Sequence, residues 1–218
     1  MSTYICSRRR VQIYYHYIYI SKLFLIKFSE ISFTAANRLY TYIYQMKIVL
    51  IGYMGSGKSS VGKSLAHALD YSFVDLDHAI ETSDDRTVAT IFASRGEIYF
   101  RKKEATVLKE ILATENNLVL ATGGGTPCYG AVMQSLNENP AVHTIYLKVS
   151  LEVLTNRLFQ ERAQRPLIAH LETKALLNDF IRKHLFERSY YYSQAKTVID
   201  VSTLSVEAAT EAIVATLY

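Results

Sequence analysis

Residues 52–59 read Gly-Tyr-Met-Gly-Ser-Gly-Lys-Ser, an octet that restricts the chain to folds in which a strand ends, a glycine loop turns and a helix begins. The octet directly follows the apolar run Ile48-Val49-Leu50-Ile51 and precedes a helical pattern that puts Val61, Leu65, Ala68 and Leu69 on one side. Gly52, Gly55 and Gly57 let the backbone turn its N–H groups inward around an anion, and the following helix aims its positive end at the same place. Lys58 then reaches the β and γ phosphates of a nucleoside triphosphate, and Ser59 can hold Mg²⁺. A glycine-rich turn that binds nothing would not need the strand before it, the helix after it and every motif position between.

The chain has 218 residues, half of them apolar, enough for one domain of ordinary size with a sizeable core. Its net charge of +4 is unevenly spread. Residues 1–45 carry six Lys or Arg against the single acid Glu30, whereas residues 46–218 carry eighteen against nineteen. A near-neutral body lacks the one-sided excess of Lys and Arg that nucleic acid requires, so no nucleic-acid partner is expected. Cys6 and Cys128 are too few for a disulfide framework and are not spaced as a zinc site, which fits a reducing cytoplasm. Cys128, beside a glycine run, reads as a small buried apolar residue in preference to a reactive thiol.

The first 45 residues hold eight of the seventeen tyrosines and differ in composition from the rest. His16, Lys22 and Lys27 interrupt their apolar run, so neither a signal peptide nor a spanning helix is expected, and no membrane partner. An amphipathic anchor flanked by Arg8, Arg9 and Arg10 is the alternative. The preferred expectation is that Met46 is the working start and that residues 1–45 are a non-core extension from a misassigned start, since the first core strand begins at the next residue.

From Met46 onward, short apolar runs alternate with helix-length segments. Ile48–Ile51, Phe73–Val74, Leu118–Ala121, Thr144–Leu147 and Val198–Ile199 read as strands. Helices are expected at 88–93 and 97–112, with Gly96 as a stop and restart, and at about 130–137, 150–161, 173–190 and 206–216. This alternation predicts an α/β fold with a parallel sheet covered on both faces, in a single domain over 46–218. The polar stretch 160–172, marked by Arg165-Pro166, reads as a mobile cover and not as core.

Asp75 and Asp77 flank Leu76 at the end of the second strand, where extended geometry would turn both to one side, at the rim where parallel α/β sheets bind ligands. Gly123-Gly124-Gly125 follows the Leu118–Ala121 strand and permits close backbone approach of a small polar ligand. No carboxylate stands there, which leaves Asp75 as the nearest metal partner. Arg101 and Arg188 each read singly as surface charge. Brought to one pocket, the two guanidinium groups would suit a carboxylate.

Taken in order, these residues resemble the shikimate kinases. The resemblance rests on the phosphate loop, Phe73-Val74-Asp75-Leu76-Asp77 ending in Ile80-Glu81, Gly96-Glu97 through Phe100-Arg101 to Glu104, the triple glycine, and Arg165-Pro166-Leu167. Arg188 with Tyr192 and Ala195 is similar to a late pattern of the family, with Tyr190 and Tyr191 where proline and leucine often stand. The resemblance implies a three-layer α/β/α, nucleoside-monophosphate-kinase-like P-loop fold with a five-stranded parallel sheet and a lid. It also implies Mg²⁺-dependent transfer of the γ-phosphate of ATP to the 3-hydroxyl of shikimate, by a monomer.

It implies roles as well. Gly55, Ser56, Gly57, Lys58, Ser59 and Ser60 would cradle the phosphates, with Ser59 on Mg²⁺ and Asp75 supporting the metal through water. Asp77 would hold the ring hydroxyls and take the proton of the attacking one. Arg101 and Arg188 would clamp the carboxylate, and the backbone of Gly123, Gly124 and Gly125 would meet the same ligand. Arg165 would arrive on the lid, while Arg157 and the loop 200–203 would border the adenine. Lys58, Asp77 and Arg165 are thus the expected catalytic residues. Against this stand a kinase of the same fold acting on gluconate or a nucleotide, and a non-catalytic nucleotide switch. The switch should carry a guanine-reading NKxD motif, which is absent from the sequence, and a degenerate kinase should have lost Lys58 or Asp77.

Overall fold

The computed structural model describes residues 46–114 and 117–217. The expectations for residues 1–45, Cys6 among them, lie outside the described residues. Five parallel strands, β1 (Lys47–Ile51), β2 (Ser72–Asp75), β3 (Leu118–Ala121), β4 (Val142–Lys148) and β5 (Thr197–Asp200), form one sheet in the order β2-β3-β1-β4-β5. Each predicted run is a strand. Several extend by one or two flanking residues such as Ser72 and Asp200, because ladder hydrogen bonds come from the backbone whatever the side chain. β1 and β3 are buried at every position, as strands covered on both faces must be, which is why they read as unbroken apolar runs.

Among the described residues seven α-helices complete the three-layer α/β/α architecture: α1 (Lys58–Leu69), α2 (Leu76–Asp84), α3 (Val88–Thr114), α4 (Val132–Glu138), α5 (Leu151–Glu161), α6 (Lys174–Tyr192) and α7 (Val206–Leu217). The core runs from the strands into Leu65 and Ala66 of α1, Leu154 and Leu158 of α5, Leu177 and Ile181 of α6, and Ile213 of α7. Gly96 breaks α3 as expected, with φ 77° and ψ 173° in the middle of an otherwise helical run. Among the described residues no helix is long and apolar enough to cross a membrane.

The sheet positions the site. Leu50 pairs with Ala121, and Ala121 pairs with Asp75, so β1, β3 and β2 end on one rung. The loop after β1, the glycine turn after β3 and the two aspartates after β2 therefore open at the same rim, at the centre of the sheet where strand order reverses.

Two expectations need correction. Asp75-Leu76-Asp77 is not extended: Asp75 ends β2 and caps α2, its Oδ1 accepting the Asp77 backbone N–H at 3.1 Å, so Asp77 sits in a helical first turn. The 160–172 stretch is not cover throughout. Leu167 is 54% exposed beyond the short 3-10 turn Arg162–Gln164, but Ile168 is fully buried in the core and anchors that end. The three tyrosines that end α6 do not pack inside together, because consecutive helical residues are turned by about 100°. Tyr192 is buried against Tyr146, Tyr191 is half-buried and Tyr190 is 70% exposed.

Candidate active site

α1 begins behind Gly57, which has φ 89° and offers no side-chain cap, so the first N–H groups of the helix remain available to an anion. They border a cleft of about 440 Å³ lined by Gly55 through Ser60 with Asp75, Asp77, Gly123, Gly124, Arg157 and Arg165. Lys58 is buried there, its Nζ donating to the carbonyls of Gly52 and Tyr53 at 2.8 Å each. Burial pushes its pKa down to about 8 against the opposing pull of Asp77 and Asp75. A weakly hydrated cation held in this way attracts phosphate strongly.

Ser59 Oγ donates to Asp75 Oδ2 at 2.7 Å, which sets a hydroxyl and a carboxylate side by side as hard oxygen ligands. Among the described residues no group of three His, Cys, Asp or Glu could hold a metal alone. The oxygen pair fits Mg²⁺, an ion that keeps several waters and completes its shell with phosphate oxygens. Across the cleft Arg157 donates to the Gly55 carbonyl at 3.3 Å, and Arg165 grips Glu161 Oε2 through Nε at 3.0 Å and Nη2 at 2.6 Å.

The side of the cleft next to Asp77 is built on the glycine turn. A Cβ at Gly123 would lie 3.1 Å from Asp77 Oδ1, one at Gly124 would lie 3.8 Å from Arg188 Nη1, and one at Gly125 would lie 2.7 Å from Arg101 Nη2. Side chains from α2, α6 and α3 thus converge on three consecutive residues. Tyr192 Oη donates to the Gly124 carbonyl at 2.5 Å, and Cys128 N–H to that of Gly125 at 2.9 Å, fixing the turn. Asp77 opens onto the cleft, yet burial pushes its pKa up to about 6, reinforced by Asp75 and Glu104 and opposed by Lys58. The phosphate loop, Asp75, Asp77, Gly123, Gly124, Arg157 and Arg165 therefore line the cleft, and Arg101 and Arg188 reach the glycine turn that adjoins it.

The sequence pattern of shikimate kinases matches residues 54–218. The chain belongs to the shikimate kinase family. The shikimate kinase of Flavobacterium johnsoniae is 40% identical over 161 residues, covering 74% of this chain and 92% of its own. That of Flavobacterium psychrophilum is 42% identical over 159 residues, covering 73% and 91%. Among solved structures, the shikimate kinase of Bacteroides thetaiotaomicron superposes with a TM-score of 0.73 at 34% identity, over 79% of this chain and 98% of its own. The Acinetobacter baumannii shikimate kinase in complex with shikimate gives 0.71 at 30% identity, over 82% and 96%.

Shikimate kinases use ATP, and this member adds contacts that its motifs alone do not disclose. Glu104, 3% exposed, accepts from Arg101 Nη1 at 2.9 Å and from Thr126 Oγ1 at 2.7 Å, tying Arg101 to the glycine turn. Its position three residues after Arg101 on one helix was the available signal. Tyr53, at a free position of the phosphate loop, is buried and hydrogen-bonded to His184 Nδ1 at 3.2 Å, while the Arg188 guanidinium lies 5.6 Å over its ring. Nothing in the loop motif foretells this link between phosphate loop and α6. Cys128 packs partly buried against the core, and burial pushes its thiol up to about 11, in keeping with an inert residue. In the loop expected beside the adenine, Val201 lines the cleft, whereas Asp200 accepts from the Ser202 N–H at 3.0 Å and its hydroxyl at 2.5 Å.

Proposed function

We propose that residues 46–218 form a kinase domain, with 160–172 as its lid, that transfers the γ-phosphate of ATP to the 3-hydroxyl of shikimate. The product is shikimate 3-phosphate, a step toward chorismate and the aromatic amino acids. The observation that carries this reading is the convergence of Asp77, Arg188 and Arg101 on Gly123–Gly125 beside the Lys58 cup.

Phosphoryl transfer asks little covalent work of a protein, so alignment and positive charge dominate. The N–H groups of Gly55 to Ser60 and the Lys58 ammonium hold the phosphates, and Lys58 exchanges its loop carbonyls for phosphate oxygens. Ser59, with Asp75 supporting through water, would hold Mg²⁺. When bound, the ion supplies charge neutralisation on the phosphate oxygens. Arg101 and Arg188 fix the acceptor by its carboxylate and so orient its ring. Asp77, with a pKa of about 6, is ionised at neutral pH yet more basic than an ordinary aspartate, and accepts the hydroxyl proton as the bond to phosphorus forms. Arg165 leaves Glu161 for the transferring phosphoryl group as the lid closes about its Ile168 anchor, and closure excludes water as a competing nucleophile. Arg157 borders the nucleotide next to Gly55.

A cytoplasmic monomer acting on small molecules, without nucleic-acid or membrane partners, completes the reading, supported by the near-neutral charge of residues 46–218. Steady-state assays with ATP and shikimate, gluconate or nucleoside monophosphates test it. Turnover is expected with shikimate alone; comparable turnover with either other class would refute the acceptor assignment.

A further inference from the structure

We propose that Tyr129 is a positioning residue of the acceptor pocket, its ring supporting the Arg101 guanidinium while its hydroxyl keeps Glu97 from taking the place of the acceptor carboxylate. The inference deepens the acceptor reading above and rests on it.

The Arg101 guanidinium carbon lies 4.0 Å from the Tyr129 ring centre, and Phe100 and Phe92 stand at 5.1 and 6.0 Å. Of these rings Tyr129 is the nearest. It is also 38% exposed, so it contributes little to the core. With Nη1 bound to Glu104 and Nη2 facing Gly125, the ring fixes the plane in which the guanidinium meets a ligand. The turn Thr126–Cys128 delivers Tyr129 to this place, held by the Thr126 hydroxyl on Glu104 and the Cys128 N–H on Gly125.

The hydroxyl has a separate task. Tyr129 Oη donates to Glu97 Oε1 at 2.5 Å, and the same oxygen stands 3.5 Å from Arg101 Nε. At that distance Glu97 and Arg101 form a long ion pair, but Nε is buried and makes no hydrogen bond, so the carboxylate stops short of closing on the guanidinium. Glu97, with its side chain 52% exposed, is therefore a carboxylate of the chain itself, held one short movement from the cation that the substrate needs. Released, it would close on Arg101 and compete with the incoming carboxylate.

The test measures acceptor KM and kcat for the full chain at saturating ATP. Tyr129→Phe keeps the ring and frees Glu97: acceptor KM should rise about threefold or more, and adding Glu97→Gln should return it to within twofold of wild type. Tyr129→Leu removes the ring as well as the hydroxyl, so acceptor KM should rise about 3- to 30-fold beyond that of Tyr129→Phe, and adding Glu97→Gln should reverse only the part that Tyr129→Phe already shows. In both cases kcat and the KM for ATP should hold within twofold, and a methyl ester of shikimate, which lacks the carboxylate charge, should be turned over equally by variant and wild type. A merely structural residue would shift kcat, ATP KM and the ester alike. Unchanged acceptor KM in Tyr129→Leu, or failure of Glu97→Gln to rescue Tyr129→Phe, overturns the proposal. Absence of wild-type turnover with shikimate is a different result, which overturns the acceptor assignment and this inference with it.

Discussion

Replacing Gly125 by alanine probes the acceptor pocket where it is tightest. The backbone there has φ −91° and ψ −19°, a conformation alanine adopts without strain, so the effect comes from the added methyl group alone. That carbon would lie 2.7 Å from Nη2, 3.0 Å from Nη1 and 3.1 Å from Cζ of Arg101, where non-bonded atoms settle at about 3.5 Å or beyond. The guanidinium must therefore retreat by roughly 0.5–1 Å, with the Tyr129 ring 4.0 Å to one side and Glu104 holding Nη1 at 2.9 Å. Truncating one partner of a buried charge pair costs about 2–5 kcal/mol, and displacing it costs less. A loss of about 1.4–2.7 kcal/mol is expected, or about 10- to 100-fold in acceptor affinity. Stability should change little, because the atoms that move end a flexible side chain: weakening the Glu104 contact by about 1 kcal/mol lowers Tm by about 2–4 °C. A coupled assay of ADP release, with shikimate varied at saturating ATP, reads the effect as acceptor KM. The KM for ATP should not move, since Gly125 does not line the nucleotide cleft. Acceptor KM within twofold of wild type in a folded Gly125→Ala protein would refute the placement of the substrate carboxylate on Arg101.

Other predictions follow from the same geometry. The free-enzyme profile of kcat/KM should be bell-shaped, rising as Asp77 loses its proton near pH 6 and falling as Lys58 loses its own near pH 8. Asp77→Asn should remove the acidic limb and lower kcat by about 10²- to 10⁴-fold, and persistence of that limb would assign it to another group. Arg165→Ala should depress kcat on the order of 10³-fold with acceptor KM little changed; normal turnover in single-turnover mixing would dismiss its charge from the transition state. Arg101→Ala should weaken acceptor binding by about 2–5 kcal/mol, measured by titration calorimetry, and an affinity within twofold of wild type would rule out the clamp.

How much of this was legible before the coordinates depends on whether one residue or several carry the information. β1 and β3 announce themselves because a strand buried on both faces must be apolar throughout, and Gly96 announces the break in α3 because few other residues tolerate a φ of 77°. α2 was missed because its buried stripe consists of Leu76 and Ile80 alone, too short for a period to show, while its cap Asp75 also serves as the last residue of a strand. The 160–172 segment misled for the converse reason: one buried isoleucine anchors a stretch whose composition is polar. The phosphate loop was readable as a unit because its chemistry is local. The pairing of Arg101 with Arg188 was readable only through the family resemblance, because the two lie on separate helices and no pattern in the sequence measures the distance between them. Tyr129 and Tyr53 left no trace at all, since each works through a partner that only the fold supplies.

The glycine turn joins these two kinds of information. Read along the chain, Gly123-Gly124-Gly125 is an absence of side chains, compatible with flexibility or with close approach. In the fold, the space that each missing Cβ would take is bordered by a named group: Asp77 at the first, Arg188 at the second and Arg101 at the third. The turn is held by Tyr192 and Cys128. Its glycines are therefore needed less for freedom than for room, which side chains from three helices border. A larger residue at Gly125, which does not line the nucleotide cleft, would push Arg101 from its place while leaving the Lys58 cup intact. For that reason a defect at Gly125 should be read in the acceptor KM and not in the KM for ATP, whereas one at Gly124 would also press on the backbone of Met54 and Gly52.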